Sequence, residues 1–120
     1  MYSAEIEISD RDAVPVPTGY HILIAVPSIE EKTKGGIIRP DQLRQLEKTA
    51  SIFGLVLAVG PDAYKDEAKF PSGPWCKVDD WVVFRSYSGT RFIVNGQELR
   101  LINDDTVEAV VADPRQIERV

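Results

Sequence analysis

The feature that most constrains the fold is a series of short apolar runs, each closed by residues that favour turns. Tyr20–Val26 is followed at once by Pro27, and the run that begins at Gly54 stops at Gly60-Pro61. Runs of this length with such boundaries are typical of buried β-strands. Further strands are predicted at Trp81–Phe84, Arg91–Val94, Gln97–Ile102 and Thr106–Val111. The sequence therefore predicts an all-β domain of short strands, most simply a small irregular barrel.

The pair Asn95-Gly96 gives the strongest local signal for a hairpin. It separates two predicted strands, Arg91–Val94 and Gln97–Ile102. A type I′ turn needs a positive φ at both central residues, and Asn-Gly is the pair that adopts this geometry most readily. We therefore expect these two strands to be adjacent and antiparallel.

Two long connections interrupt the predicted strands, at about 28–51 and about 61–77. Only Pro40 to Thr49 has helical character, with Leu43 and Leu46 three residues apart. This apolar stripe is too sparse for a stable packed helix, so we expect a single turn at most. A connection of this length inside a compact domain is usually functional.

Composition places limits on the partners of the chain. It has 120 residues, 43% of them hydrophobic, which is enough for one domain with one modest core. The net charge of -5 disfavours nucleic acid and anionic membrane surfaces as partners. The single cysteine, Cys76, cannot form an internal disulfide bond. No apolar run approaches the roughly 20 residues that span a bilayer, and the first residues lack a secretory signal, so a cytoplasmic location is expected.

The segment Glu30–Pro40, called here the Gly-Gly arm, carries the clearest functional signal. Gly35 and Gly36 precede Ile37 and Ile38, and charged residues flank both pairs. Adjacent glycines maximise the conformational freedom of the backbone, which does not suit two isoleucines of the chain's own core. The pattern favours a flexible arm that presents an apolar contact to another protein.

Five motifs, in order, resemble those of the GroES-type co-chaperonins over roughly Pro17 to Ala112. They are Glu31-Lys32-Thr33-Lys34-Gly35-Gly36-Ile37-Ile38, Gly54-x-Val56-x-Ala58-Val59-Gly60, Val78-x-Asp80-x-Val82-x-Phe84, Tyr87-x-Gly89-Thr90 and Asp105-x-Val107-x-Ala109-Val110. The resemblance implies a GroES-like barrel domain at 17–112, with a mobile loop at about 28–51 and a roof loop or hairpin at about 61–77. Residues 1–16 would form an N-terminal extension and 113–120 a C-terminal tail.

The same resemblance implies a homo-oligomeric ring, a heptamer. Each subunit would dock its arm on the apical domain of a GroEL-type chaperonin and help to enclose an unfolded protein. No cofactor is implied for this chain, because the chaperonin binds the nucleotide. The implied chaperonin contacts are Gly35, Gly36, Ile37, Ile38 and Arg39. The implied subunit interface joins the first and last strands through Tyr20, Ile22, Ile24, Val107, Ala109 and Val111, and the implied roof residues are Lys65, Asp66, Glu67 and Phe70.

This chain departs from the family pattern at several positions. Arg39 stands where the family usually has a third apolar residue, and Asp79 replaces a glycine before Asp80. An arginine can lay its aliphatic stem along apolar surface while its charge reaches water or a carboxylate. The segment 61–77 lacks an Asn-Gly-like tip and carries Phe70 and Trp75 instead.

Two other classes of function stay open at this point. The first is a structural or ligand-binding module that keeps the GroES fold without binding a chaperonin. The second is an enzyme, since the related barrel of alcohol dehydrogenases is catalytic. That barrel needs Cys and His zinc ligands and a following Rossmann domain, whereas this chain has only Cys76 and His21. The acidic pair Asp79-Asp80 is expected to form a solvated turn rather than a cation site, and we expect no enzymatic activity and no bound metal.

Overall fold

The computed structural model of the chain describes residues 13–28, 32–33, 36–37 and 39–120. Its strands and single α-helix follow one another along the chain with short 3-10 turns at Asp104–Thr106 and Pro114–Gln116. The elements are β1 (His21–Ala25), β2 (Lys32–Thr33), β3 (Gly36–Ile37), α1 (Pro40–Ala50), β4 (Phe53–Val59), β5 (Trp81–Phe84), β6 (Thr90–Val94), β7 (Gln97–Asn103) and β8 (Val107–Val111).

Six of these strands form one antiparallel sheet in the order β6-β7-β1-β4-β5-β8. All six were predicted from the apolar runs, and the prediction is confirmed with shifts of a residue or so at the ends. The hairpin prediction is confirmed too, since β6 pairs with β7 and the φ angles of Asn95 and Gly96 are 49° and 82°. The two turn residues are therefore sufficient to make β6 and β7 antiparallel neighbours.

The sheet curls around an apolar core. The side chains that share this inner face include Ile22, Ile24, Val56, Val82, Phe84, Ile102 and Val107, all at most 5% exposed. Arg100 of β7 reaches the ring of Phe84 on β5, although β1 and β4 stand between those strands in the sheet order. A flat sheet would keep these residues apart, so the contact shows the curl of a small barrel. The predicted all-β, GroES-like fold is confirmed.

A second apolar cluster lies on the outer face of the same strands. Side chains on a strand alternate between faces, so Leu23 points away from the core that holds Ile22 and Ile24. Leu23 and Leu99 are fully buried there, with Phe92 of the β6–β7 hairpin packed against them. Both faces of the central strands are thus covered, which explains why their sequences are almost uniformly apolar.

The helix α1 corrects the prediction of a single turn at most. Pro40 occupies its first turn, and the Gln42 side chain accepts a hydrogen bond from the Arg39 N–H at 3.3 Å. Leu46 and Ala50 are buried against Phe53, and this cluster also includes Leu43, Ile52, Trp81, Val83 and Ile117. The apolar stripe is short, but residues distant in sequence cover it, and tertiary packing of this kind stabilises most helices.

Candidate functional site

The Gly-Gly arm leaves the sheet after β1 and returns to it through α1. Within the described part of the arm, the backbone pairs Lys32 with Ile37 and Thr33 with Gly36 in a short antiparallel ladder. Gly35 and Ile38 lie outside the described residues, so their predicted contact role stays a prediction. The Arg39 side chain is 72% exposed, with Nε 3.9 Å from Asp41 Oδ1. That distant, solvated ion pair leaves the guanidinium available to another protein.

A groove of about 670 Å³ lies at the base of the arm. One wall is the C-terminal half of α1, and the other is the β6–β7 hairpin, with Val26, Pro27 and Ser28 at the point where the arm departs. Its charged side chains are of both signs, and Arg91 is already held by Glu98 at 3.0 and 3.1 Å. This groove was not predicted from the sequence, because residues from separate segments of the chain build it.

Two arginines meet the C-terminal end of α1 from different directions. Arg100 Nη1 donates to the Ser51 carbonyl at 3.1 Å from inside the curled sheet, and Arg119 Nη1 donates to Ser51 Oγ at 3.2 Å from the C-terminal tail. The end of a helix carries partial negative charge, so cations are favourable there. Neither contact was predicted from the sequence. The one available signal was the position of Arg100, which shares the inward face of β7 with the buried Ile102.

Arg100 is fully buried, with its Nε and Nη2 atoms lacking a hydrogen-bond partner among the described residues. Its Cζ atom lies 5.1 Å from the centroid of the Phe84 ring. Burial lowers the pKa of this guanidinium, with a smaller effect in the same direction from Arg91. The aromatic ring and the helix end therefore provide the compensation that ion pairing would normally supply.

The predicted subunit interface needs a correction at the first strand. β1 has β7 on one side and β4 on the other, so its backbone groups from Ile22 to Ala25 already have partners. Ile22, Ile24 and Val107 are at most 5% exposed in the core of this chain. A strand with two neighbours cannot add a third, so the expectation that β1 pairs with another subunit is wrong.

The other predicted interface residues lie where contact is possible. β8 stands at one end of the sheet and pairs only with β5 among the described strands. Ala109 is exposed, Val111 is half-buried, and Tyr20 is 50% exposed before the start of β1. Their role in an interface stays a prediction.

The segment predicted as a roof folds back onto the end of the barrel. Residues 61–77, all described, contain turns and no strand, so this connection is not a hairpin. Lys65, Asp66 and Glu67 are exposed, whereas Phe70 is 3% exposed and belongs to the inner core. The Phe70 ring therefore packs inside this chain, and the roof role of Phe70 and of the three charged residues stays a prediction.

Aromatic packing holds that segment in place. Phe70 makes edge contacts with Tyr64 and Trp75, at centroid distances of 4.9 and 4.8 Å. The Tyr64 N–H donates to Asp104 Oδ2 at 3.0 Å, and its hydroxyl donates to the Asp104 carbonyl at 2.8 Å. Burial is the main cause that raises the pKa of Tyr64, so the hydroxyl stays a donor.

The described residues contain no group of three or more His, Cys, Asp or Glu side chains that could hold a metal ion. His21 Nδ1 lies 3.0 Å from the Thr18 carbonyl, in a turn contact. Cys76 is buried, and that burial raises the pKa of its thiol. None of the helices in the described part of the chain is long and apolar enough to cross a membrane.

Comparison with known proteins identifies the family. The family model described as Cpn10, chaperonin 10 Kd subunit, matches residues 16–111. The Co-chaperonin GroES of Methylorubrum populi is 40% identical over 83 residues, 69% of this chain and 81% of that protein. The one of Paracoccus denitrificans is 34% identical over 96 residues, 80% of this chain and 96% of that protein. Co-chaperonin GroES 5 of Rhizobium meliloti is 33% identical over 104 residues, 87% of this chain and 94% of that protein. The chain therefore belongs to the chaperonin 10 kDa subunit family and is a GroES-type co-chaperonin.

Proposed function

We propose that this co-chaperonin forms a ring-shaped lid that caps a GroEL-type chaperonin in a nucleotide-dependent manner and encloses unfolded protein. The observation that carries the proposal is the Gly-Gly arm, which leaves the curled sheet between β1 and β4 within a chain that matches the family over residues 16–111. The same membership argues against the alternative of a module without a chaperonin partner.

The proposed contact is made by Gly35 to Arg39, with Ile37 and Ile38 as the apolar anchors. Full burial of an isoleucine contributes about 1.5–3 kcal/mol, so the pair supplies roughly 3–6 kcal/mol before opposing terms. Ordering two glycines on the partner offsets part of this gain. One arm alone should bind no more tightly than about millimolar. Arg39 adds its aliphatic stem and places its charge at the edge of the contact.

Several weak arms become effective when one ring presents them together. Once a first arm has docked, the others bind at a high effective concentration, and the apparent affinity rises by orders of magnitude. Each contact still remains weak enough to break when the chaperonin changes its apical surface. This requirement supports a homo-oligomer, for which we propose seven subunits as in the family resemblance.

The exposed edge of β8 is the proposed place of contact between subunits. Ala109 and Val111 lie on that strand, and the exposed Tyr20 is the remaining candidate on the neighbouring surface. Lys65, Asp66 and Glu67 would face the top of the dome. In this proposal the chaperonin binds and hydrolyses the nucleotide, this chain performs no chemical step, and membership of a family of bacterial co-chaperonins supports a cytoplasmic location.

The test is co-migration of the protein with a GroEL-type ring on size exclusion, with ATP, with ADP and without nucleotide. The key variant is Ile38→Asp, and its matched control is Ile93→Asp. Ile93 is 69% exposed on β6, so the control places the same charge on the barrel surface instead of on the arm. We expect nucleotide-dependent binding by the wild type and by the control, and its loss in Ile38→Asp. Equal binding by both variants would exclude the arm as the contact, and absence of wild-type binding would contradict the lid function.

A further inference from the structure

The C-terminal tail extends beyond the part of the chain that matches the family, which ends at residue 111. It does not extend away from the domain. The 3-10 turn Pro114–Gln116 redirects it, with the Asp113 side chain accepting from the Arg115 N–H at 3.0 Å and Pro114 buried. The tail thereby comes to lie along α1, the helix through which the Gly-Gly arm rejoins the sheet.

Two hydrogen bonds join the tail to α1, and a third within the helix links their partners. Gln45 Nε2 donates to the Arg119 carbonyl at 2.6 Å, and the Arg119 N–H donates to Thr49 Oγ1 at 2.9 Å. The Thr49 hydroxyl itself donates to the Gln45 carbonyl at 3.0 Å, so the two helix residues act together. Thr49 is 1% exposed, so the hydroxyl that accepts from the tail is shielded from water.

An apolar contact accompanies the hydrogen bonds. Ile117 packs into the cluster formed by Leu46, Ala50 and Phe53. The helix has only a short apolar stripe, and an isolated helix of 11 residues is marginal in water. Its stability therefore depends on what covers it from outside as well as on the sheet beneath.

We propose that residues 113–119 form a C-terminal clasp that pins α1 to the sheet and so sets the point at which the Gly-Gly arm returns to the domain. With α1 fixed, the segment that spans between anchored points runs from Ser28 to Pro40. Without the clasp, α1 detaches and the next anchored residue is Phe53, at the start of β4. The span about doubles in length, and the additional residues lose their freedom when the arm docks.

The effect of the clasp on docking rests on the proposed function, whereas its effect on α1 does not. Each doubling of a loop costs enough entropy to weaken a contact about threefold. The loss multiplies over the arms that one ring engages at once, so the whole lid should lose much more affinity than a single arm. Ile117 and Arg119 are thus positioning residues, which act on the chaperonin contact through α1.

The first test measures hydrogen exchange of the α1 amides in the protein alone. The variant is Ile117→Asp, and the matched control is Val120→Asp, which makes the same kind of change at a fully exposed tail residue. Loss of the half-buried isoleucine should speed exchange of the α1 amides by about tenfold. The amides of β1 and β7 should keep their protection, and the control should match the wild type. Unchanged α1 protection in Ile117→Asp would overturn the clasp, and so would an equal loss of protection in β1 and β7, because the tail would then belong to the global core.

The second test measures binding of the same three proteins, and of the conservative variant Ile117→Leu, to a GroEL-type ring with nucleotide. We expect Ile117→Asp to lose at least about threefold in affinity per arm, while Val120→Asp binds like the wild type and the conservative variant Ile117→Leu recovers most of the affinity. Undiminished binding by Ile117→Asp, despite faster exchange in α1, would overturn the positioning role. Absence of binding by all proteins, with the expected exchange result, would contradict the proposed function and leave the clasp supported.

Discussion

Arg100 and Phe84 form a cation–π contact in the interior of the curled sheet, with the guanidinium carbon 5.1 Å from the ring centroid. The two residues lie on β7 and β5, which do not pair with each other. The contact joins opposite walls of the barrel and places a charge where the neighbouring side chains are apolar. It also brings the guanidinium to the Ser51 carbonyl at the end of α1.

The first prediction concerns the energetic balance of Arg100. Removing a charge from water is expensive, and two of its nitrogen atoms have no partner among the described residues. Replacement by a hydrophobic residue of similar volume is often neutral or stabilising, so Arg100→Met should unfold in urea at a concentration equal to or above that of the wild type. Arg100→Ala should unfold earlier, because it leaves a cavity beside Phe84. A large loss of stability in Arg100→Met would show that the guanidinium is a net stabilising group.

The second prediction concerns Gly89, in the motif Tyr87-x-Gly89-Thr90. Its φ is +76°, and an added Cβ would lie 2.1 Å from the Leu101 carbonyl oxygen. Gly73 also has a positive φ, +89°, but open space around it. Alanine at either position should lose about 1–2 kcal/mol from the backbone conformation, and Gly89→Ala should lose about 1–3 kcal/mol more from the forced shift of β7. Urea unfolding at one protein concentration measures the stability of both variants. Equal losses of stability would contradict the close approach between Gly89 and the Leu101 carbonyl.

The third prediction concerns the hydrogen bonds that hold the segment 61–77 on the barrel. Asp104 is 5% exposed, and its carboxylate accepts from the Tyr64 N–H. Asp104→Ala should destabilise the fold by about 1–3 kcal/mol, because it leaves a buried N–H without an acceptor. The control is Asp105→Ala, which removes an exposed ion pair with Lys69 and should change stability little. Urea unfolding measures both losses of stability. Equal losses in the two variants would contradict the role of Asp104 as the buried acceptor for the Tyr64 N–H.

The fourth prediction concerns the reactivity of Cys76. The thiol is 6% exposed, and its burial raises its pKa, which outweighs the opposite effect of the Tyr64 hydrogen bond. A raised pKa means a smaller thiolate fraction at any given pH, and the thiolate is the nucleophile. Alkylation by iodoacetamide should therefore be much slower in the native protein than in urea, with its pH profile displaced to higher pH. Native alkylation at the unfolded rate would show that the thiol is accessible.

The strands were predictable because their signals are local. A run such as Trp81–Phe84 is apolar throughout, and turn residues close to it in sequence set its limits. The Asn95-Gly96 turn was predictable for the same reason, since two adjacent residues with positive φ suffice to reverse the chain. The order of motifs along the chain was likewise enough to identify the family.

The helix α1 was not predictable from its own residues. Its apolar stripe is short. The side chains that cover it include Trp81 and Val83, which are distant in sequence, and Ile117, which lies beyond the family domain. The neighbours of β1 were missed for a related reason. A buried apolar strand has the same sequence pattern whether it lies at the edge or in the middle of a sheet.

The sequence by itself determined the strands, the tight hairpin and membership of the family, because adjacent residues and their spacing specify these features. Only the tertiary structure decided which strand keeps a free edge, that Phe70 lies in the core and that Arg100 lies inside the barrel. It also decided that the tail packs on α1. Burial of apolar surface and pairing of buried polar groups across long chain separations determine these arrangements, and the partners of such contacts are not neighbours in the sequence.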